Sequence, residues 1–344
     1  MRPAPPIPLL TLLALSSPLD AQLRFRKIAE PAGDTLQKAL RASVLAQPGA
    51  RPFHIRVEID QSSGPAADYK AVIEESWVSP GQWVRTVTTS AVMQKTVADG
   101  TGVHILTRGD YFPAWLRNFT TAIFDPVPES TRGYVANAPI EHAEFANGMR
   151  SSPCQHAEFQ LGSAPLVQFN YADVCFRASD GLLERTNAPS YAMEFKDYAD
   201  FENLRVARTL NGSGPPGVGL TGKIVTLETL QAPDLFALPA GAGGSDPLAV
   251  VTLPTEAMLR LSGGVPALQG PRHSGHGMFT VWINLDRSGQ VREVRPLNSD
   301  DSGIASTMAA QLVGLHWAPL VQNGVPAQAQ GPLVIAYPPS RQRN

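Results

Sequence analysis

In Phe53-His54-Ile55-Arg56-Val57-Glu58-Ile59-Asp60 every odd position is apolar and every even position polar. Successive side chains of a strand point to opposite faces, so this run buries one face of a sheet and leaves the other solvated. The theme repeats. Residues 69–78 run to the turn Ser79-Pro80-Gly81-Gln82, residues 83–89 return, residues 92–98 meet the turn Asp99-Gly100-Thr101-Gly102, and residues 103–107 leave it. Hairpins at such short, regular spacing specify an antiparallel sheet. The 29 glycines and 31 prolines favour the many turns this needs over long helices.

Two helices are expected within this sheet. Asp34-Thr35-Leu36-Gln37 has the pattern of a capping box, and Leu36, Leu40, Ser43 and Val44 then share one face before Pro48. Over residues 113–124, Pro suits the first turn, and Trp115, Phe119, Ala122 and Ile123 fall together. Strands resume from about Glu141, at residues 155–161, 166–176, 182–186, 193–199, 206–210 and 223–230. Residues 237–255, with Ala240-Gly241-Ala242-Gly243-Gly244, read as a linker crossed by few contacts.

Beyond the linker, Phe279, Val281, Ile283 and Leu285 alternate with Thr280, Trp282, Asn284 and Asp286, which predicts a strand. Asp286-Arg287-Ser288-Gly289 turns it. The returning residues 290–297 carry Val291 and Val294 at opposite parity, which predicts a bulge. Ser302 can cap a helix striped by Ile304, Met308, Leu312 and Leu315, Pro319 stops it and Asn323-Gly324 turns. Leu333, Val334, Ile335, Ala336 and Tyr337 form a last strand, giving the order β-β-α-β. The fold class is therefore α+β, with an antiparallel sheet and one or two helices first and a small β-β-α-β unit last.

At the N-terminus, Arg2, the nine-residue apolar run from Ile7 to Leu15, Pro18 and Leu19-Asp20-Ala21 make residues 1–21 a signal peptide cleaved before Gln22. That run is short of the roughly 20 apolar residues a spanning helix needs. Export places Cys154 and Cys175 where disulfides persist, and two cysteines allow one pairing. The net charge of −2 and the lack of a dense Lys/Arg patch exclude nucleic acid as a partner, because binding it requires clustered cations.

Motifs for chemistry fail on context. Gly217-Val218-Gly219-Leu220-Thr221-Gly222-Lys223 matches a dinucleotide fingerprint and most of a P-loop. Ile224 stands where a P-loop needs Ser or Thr, and a strand rather than a helix is expected next. His-Ala-Glu-Phe occurs at residues 142–145 and 156–159, and His273 and His276 add an H-x-x-H, but these spacings match no named metal site. No G-x-S-x-G elbow is present. The reading is a non-enzymatic protein with no cofactor, no metal and no catalytic residue.

The ordered set Phe279-Thr280-Val281-Trp282-Ile283-Asn284-Leu285-Asp286, Ser288-Gly289-Gln290-Val291, His316-Trp317-Ala318-Pro319 and Gln322-Asn323-Gly324-Val325-Pro326 resembles the C-terminal domain of TonB over about residues 277–337. That resemblance implies strand addition to an envelope partner, such as a segment of an outer-membrane receptor. Its partner-binding residues would be Leu333, Val334, Ile335, Ala336 and Tyr337. Residues 30–240 more faintly resemble the LolA/LolB group of periplasmic lipoprotein carriers, in plan and in Phe195-Lys196-Asp197-Tyr198 and Leu235-Phe236-Ala237-Leu238-Pro239. This implies a curved half-barrel whose apolar concave face could hold a lipid or lipoprotein. The expected organisation is a signal peptide at 1–21, a sheet domain at 22–236, a linker at 237–255 and a terminal domain at 256–340. The expected protein is a periplasmic or secreted binding protein acting by strand addition; the alternative is a lipid or lipoprotein carrier.

Overall fold

The computed structural model of the chain describes residues 25–65, 69–145, 150–160, 169–214, 217–230, 236–264, 266, 268, 277–299 and 302–337. The expected signal peptide lies outside these residues. Thirteen strands make one antiparallel sheet. They are β1 (Phe25–Glu30), β2 (Phe53–Ser63), β3 (Ala71–Ser79), β4 (Gln82–Thr88), β5 (Met93–Asp99), β6 (Val103–Arg108), β7 (Ile140–Phe145), β8 (Cys154–Gln160), β9 (Phe169–Phe176), β10 (Leu183–Ala188), β11 (Tyr191–Phe201), β12 (Leu204–Ser213) and β13 (Gly219–Thr229). Two meanders, β2 to β6 and β7 to β13, join where β13 pairs β2, and β1 pairs β7. The sheet stays open, with β1 and β6 as its edges.

The alternation in β2 does what its period requires. Phe53, Ile55, Val57 and Ile59 are buried, while Arg56 on the opposite face pairs with Glu58 and Glu74. The apolar face is covered by α1 (Thr35–Ser43) and α2 (Ala114–Phe124), and α3 (Glu129–Val135) follows. Leu36 and Leu40 of α1 are buried as their spacing predicts, but Asp34 makes no side-chain cap bond. Its carboxylate pairs with Lys38 at 2.8 Å instead, so the capping box does not form.

A hollow receives α2. Phe119 is fully buried, and its ring lies over Gly212 of β12 and Gly222 of β13. A Cβ added at Gly222 would come within 2.9 Å of that ring, and one at Gly212 within 3.2 Å. The two missing side chains make the seat into which the helix fits.

The second sheet contains β14 (Val250–Thr252), β15 (Gly277–Leu285), β16 (Val291–Ser299), β17 (Leu320–Gln322) and β18 (Val325–Tyr337), with α4 (Thr255–Leu261) and α5 (Ser302–Leu312). Its order is β14-β18-β15-β16, and β17 pairs β18. Phe279, Val281, Ile283, Leu285, Met308 and Leu312 build a separate core. The expected bulge is present where Asn284 and Leu285 pair with Glu293 and Val291, leaving Arg292 over. The hairpin turn Asn323-Gly324 has positive φ at both residues.

Two further expectations differ from the structure. The last strand begins at Val325, eight residues before Leu333, because Pro326 and Pro332 take positions that need no ladder donor from them. Residues 237–255 are also not a contact-poor tether. Gly243 bridges Ile105 through two backbone bonds, Gln94 donates to Asp246, Leu248 is buried, and β14 pairs parallel to β18. Small residues there allow close backbone approach, which composition alone does not separate from flexibility.

Gly222→Ala is expected to destabilise the protein by roughly 1–2 kcal/mol in urea denaturation, because overpacking against a fixed ring outweighs the gain from removing a strand glycine. Adding Phe119→Leu should recover part of that loss.

Candidate functional site

The first turn of α2 presents backbone N–H groups that the helix itself cannot satisfy. Pro113 holds the N-cap position and offers no side-chain acceptor. Glu293, from β16 of the second sheet, supplies it. Its Oε1 accepts from Ala114 N at 2.7 Å and from the Tyr111 hydroxyl at 2.6 Å, and its Oε2 accepts from Trp115 N at 3.3 Å. The carboxylate is 7% exposed and faces the positive end of the helix dipole. Burial, and then the neighbouring Glu293 charge, push the Tyr111 phenol well above its ordinary pKa, so it stays a donor.

Other groups of the second sheet extend this contact. Arg117 donates to Asn284 Oδ1 at 2.8 Å and to Gln330 Oε1 at 3.2 Å, and also to its own Phe112 carbonyl. Desolvation lowers the Arg117 pKa, with Tyr111 and Glu293 opposing it. Gln328, fully buried, accepts from Phe112 N at 3.3 Å and donates to Leu248 O at 2.8 Å. Arg295 donates to the Ala188 and Pro189 carbonyls and to Asn187 Oδ1 at the β10–β11 turn. Burial brings its pKa down to about 10. The even-numbered face of β15, with Thr280, Trp282 and Asn284 all buried, is therefore an interface rather than a solvated surface.

Beneath α2 lies the apolar face of the first sheet. Trp115, Leu116, Phe119, Ala122, Ile123 and Phe124 pack on it. What remains is an apolar cavity of about 30 Å³ near the end of α2, lined among others by Leu45, Ile123, Leu183, Phe195, Ala207 and Leu210. One ion pair breaks the apolar surface. Glu75 of β3, 1% exposed, accepts from Arg85 Nε at 2.5 Å, and its Oε1 has no partner. The Arg85 guanidinium lies 3.9 Å from the Phe124 ring centroid. Desolvation raises the Glu75 pKa against the opposing pull of Arg85.

On the other face a groove of about 790 Å³ is lined by Lys27, Glu141, His142, His156, Glu194 and Lys196, among others. Its charges are largely paired, Lys27 with Glu141 and Lys196 with Glu194. Cys154 and Cys175, also in its wall, stand opposite each other on β8 and β9 and form the expected disulfide. The two His-Ala-Glu-Phe runs fall on β7 and β8, and among the described residues no cluster of His, Cys, Asp or Glu could hold a metal ion. His273 and His276 lie outside the described residues. The glycine run at 217–223 leads into β13, a strand, as its context predicts.

The five terminal-strand residues are placed unequally. Leu333 and Ile335 are buried in the core of the second sheet, and Val334 is partly exposed. One flank of residues 333–337 pairs with β15. On the other flank β14 pairs only Gln328–Gln330, so residues 333–337 have no strand partner there among the described residues. Sequence reasoning missed Glu293, Gln328 and Arg117. The one available signal was a helix starting at Pro113 without Ser, Thr, Asp or Asn before it, whose first-turn donors therefore needed an acceptor from elsewhere.

The fold and site define an open antiparallel sheet whose apolar face is covered by helices, one of which, α2, is gripped by a second sheet. No protein-family model matches the chain, and no curated protein does. Among solved structures, the crystal structure of a LolA superfamily protein from Nitrosomonas europaea aligns with a TM-score of 0.32 and 10% identity, covering 60% of this chain and 97% of that one. At that score the overlap is too loose to transfer a site or a ligand. Among the described residues no helix is long and apolar enough to cross a membrane.

A carboxyl group with a raised folded pKa is bound to its proton more tightly when folded. Its contribution to stability is full below its unfolded pKa and is lost as pH rises through the folded one. Wild type should therefore lose stability relative to Glu75→Gln between pH 4 and pH 7, measured by urea denaturation. A difference that stays constant across that range would show that Glu75 is not desolvated.

Proposed function

We propose that this chain is a non-enzymatic envelope protein that carries one acyl chain of a lipid or lipoprotein between the first sheet and α2. The supporting observation is that α2, which covers the part of the apolar face around Gly212 and Gly222, is a short helix seated in a hollow of the sheet. An eleven-residue helix has little stability of its own and is held by what it packs against. Lifting α2 exposes five large apolar side chains and the seat beneath them, at a cost of roughly 10 kcal/mol. An acyl chain of about 14 methylenes gains about 11 kcal/mol on burial at ~0.8 kcal/mol each. The exchange is nearly balanced, which suits a carrier that must both load and release. The disulfide supports an oxidising compartment, the periplasm, for this activity.

A dansyl-labelled fatty acid should bind the purified protein at one equivalent. Phe119→Ala should tighten that binding at least tenfold, because it lowers the cost of displacing the helix. Native mass spectrometry of protein from an envelope extract should show a bound acyl species. Absence of both, in wild type and variant alike, removes the carrier reading.

A second reading is favoured by the flank of residues 333–337 that has no strand partner among the described residues. A partner strand there would add backbone hydrogen bonds along Leu333, Val334, Ile335, Ala336 and Tyr337 beyond the end of β14. In this reading the partner is an envelope protein or an outer-membrane receptor segment. Val334→Pro removes a ladder donor and should abolish partner capture in a crosslinking pull-down while the first sheet stays folded. Capture at full strength by the variant would end this reading.

A further inference from the structure

We infer that the second sheet is a latch on α2, with the Glu293 carboxylate as its bolt. The inference rests on the carrier reading for its biological purpose but on geometry for its substance. The N-terminus of α2 has no side-chain cap of its own, and the N–H groups of Ala114 and Trp115 both end on one carboxylate, 179 and 178 residues away. Arg117, one turn on, is held by Asn284 and Gln330 of the same sheet. Phe112, just before the helix, is held by Gln328. Every one of these bonds crosses from α2, or from Phe112 just before it, to strands that contribute nothing to the apolar face α2 helps to cover.

Such a contact differs from the apolar packing under the helix. When the N-terminus of α2 lifts, Glu293, Asn284, Gln328 and Gln330 on one side and the helix donors on the other pass into water, which satisfies them. The latch is therefore cheap to release, yet geometrically demanding while closed. It sets whether the apolar face is reachable without enlarging the apolar cost. By linkage, whatever displaces α2 frees the polar face of the second sheet, so that sheet senses whether the first is occupied.

Amide hydrogen exchange of the full chain tests this directly, without a ligand. In Glu293→Ala, the amides of residues 114–124 should exchange at least tenfold faster, with β2 and β3 unchanged. Glu293→Gln, which keeps an acceptor oxygen, should fall between. Arg287→Ala, which removes an ion pair to the 98% exposed Asp110, should leave α2 as in wild type. Unchanged exchange in α2 with Glu293→Ala overturns the latch, and so does a uniform acceleration across both sheets, which would make Glu293 an ordinary stabilising residue. Fatty-acid binding by the same variant separates the two ideas. Faster exchange in α2 with tighter probe binding upholds both, whereas faster exchange with no probe bound by any form keeps the latch and removes the carrier.

Discussion

A carboxylate buried beside an uncapped helix N-terminus is the contact on which the arrangement depends. Neither group is tolerable alone. Glu293 without donors would be a desolvated charge, and the first turn of α2 without an acceptor would leave backbone N–H groups unsatisfied. Together they satisfy each other through three hydrogen bonds, two to backbone and one to Tyr111. The position of the helix over the first sheet is thereby tied to the register of the second. A one-residue slip of β16 would turn Glu293 toward the core of Met308 and Leu312 and present an apolar side chain to the helix end. The bulge at Arg292 is what brings Val291 and Val294 to the core and Glu293 to the helix.

The first sheet was legible because its signal is local. Alternation over residues 53–60, the turn at Asp99 and the stripe in residues 113–124 each depend on neighbours in sequence. The Asp99 turn forms as read, its carboxylate accepting from the Thr101 hydroxyl and from Thr101 N and Gly102 N, and these bonds, the hydroxyl's foremost, hold its pKa down to about 2. The cysteine pairing was legible because two residues allow one bridge. The seat under Phe119 was not, since Gly212 and Gly222 look like ordinary turn or strand glycines until the helix lies over them. The site was least legible of all. Glu293 reads as the polar member of an alternating strand, and period-two patterning cannot tell a polar face that meets water from one that meets another sheet.

Composition also misled about residues 237–255. A stretch rich in Ala, Gly and Pro can be a loose spacer or a segment that approaches other backbones closely, and the difference lies in its partners. Here Gly243 closes part of the β6 edge, Asp246 holds Gln94, and β14 covers part of β18. The segment fastens the edge of the first sheet to the second while joining them in sequence. Covered edges also leave fewer unpaired backbone groups for unwanted strand pairing.

These attachments decide which part can move when the latch opens. The β8–β9 pair is cross-linked by Cys154–Cys175, and the two meanders are stitched by the long β13–β2 ladder, so the sheet is the rigid partner. The C-terminal end of α2 is held by apolar and aromatic contacts. Phe124 lies under Arg85, and the Tyr191 hydroxyl donates to the Pro126 carbonyl just beyond the helix. Breaking those contacts exposes chiefly apolar surface, whereas lifting the N-terminal end exposes Trp115 and Leu116 together with polar groups that water can satisfy.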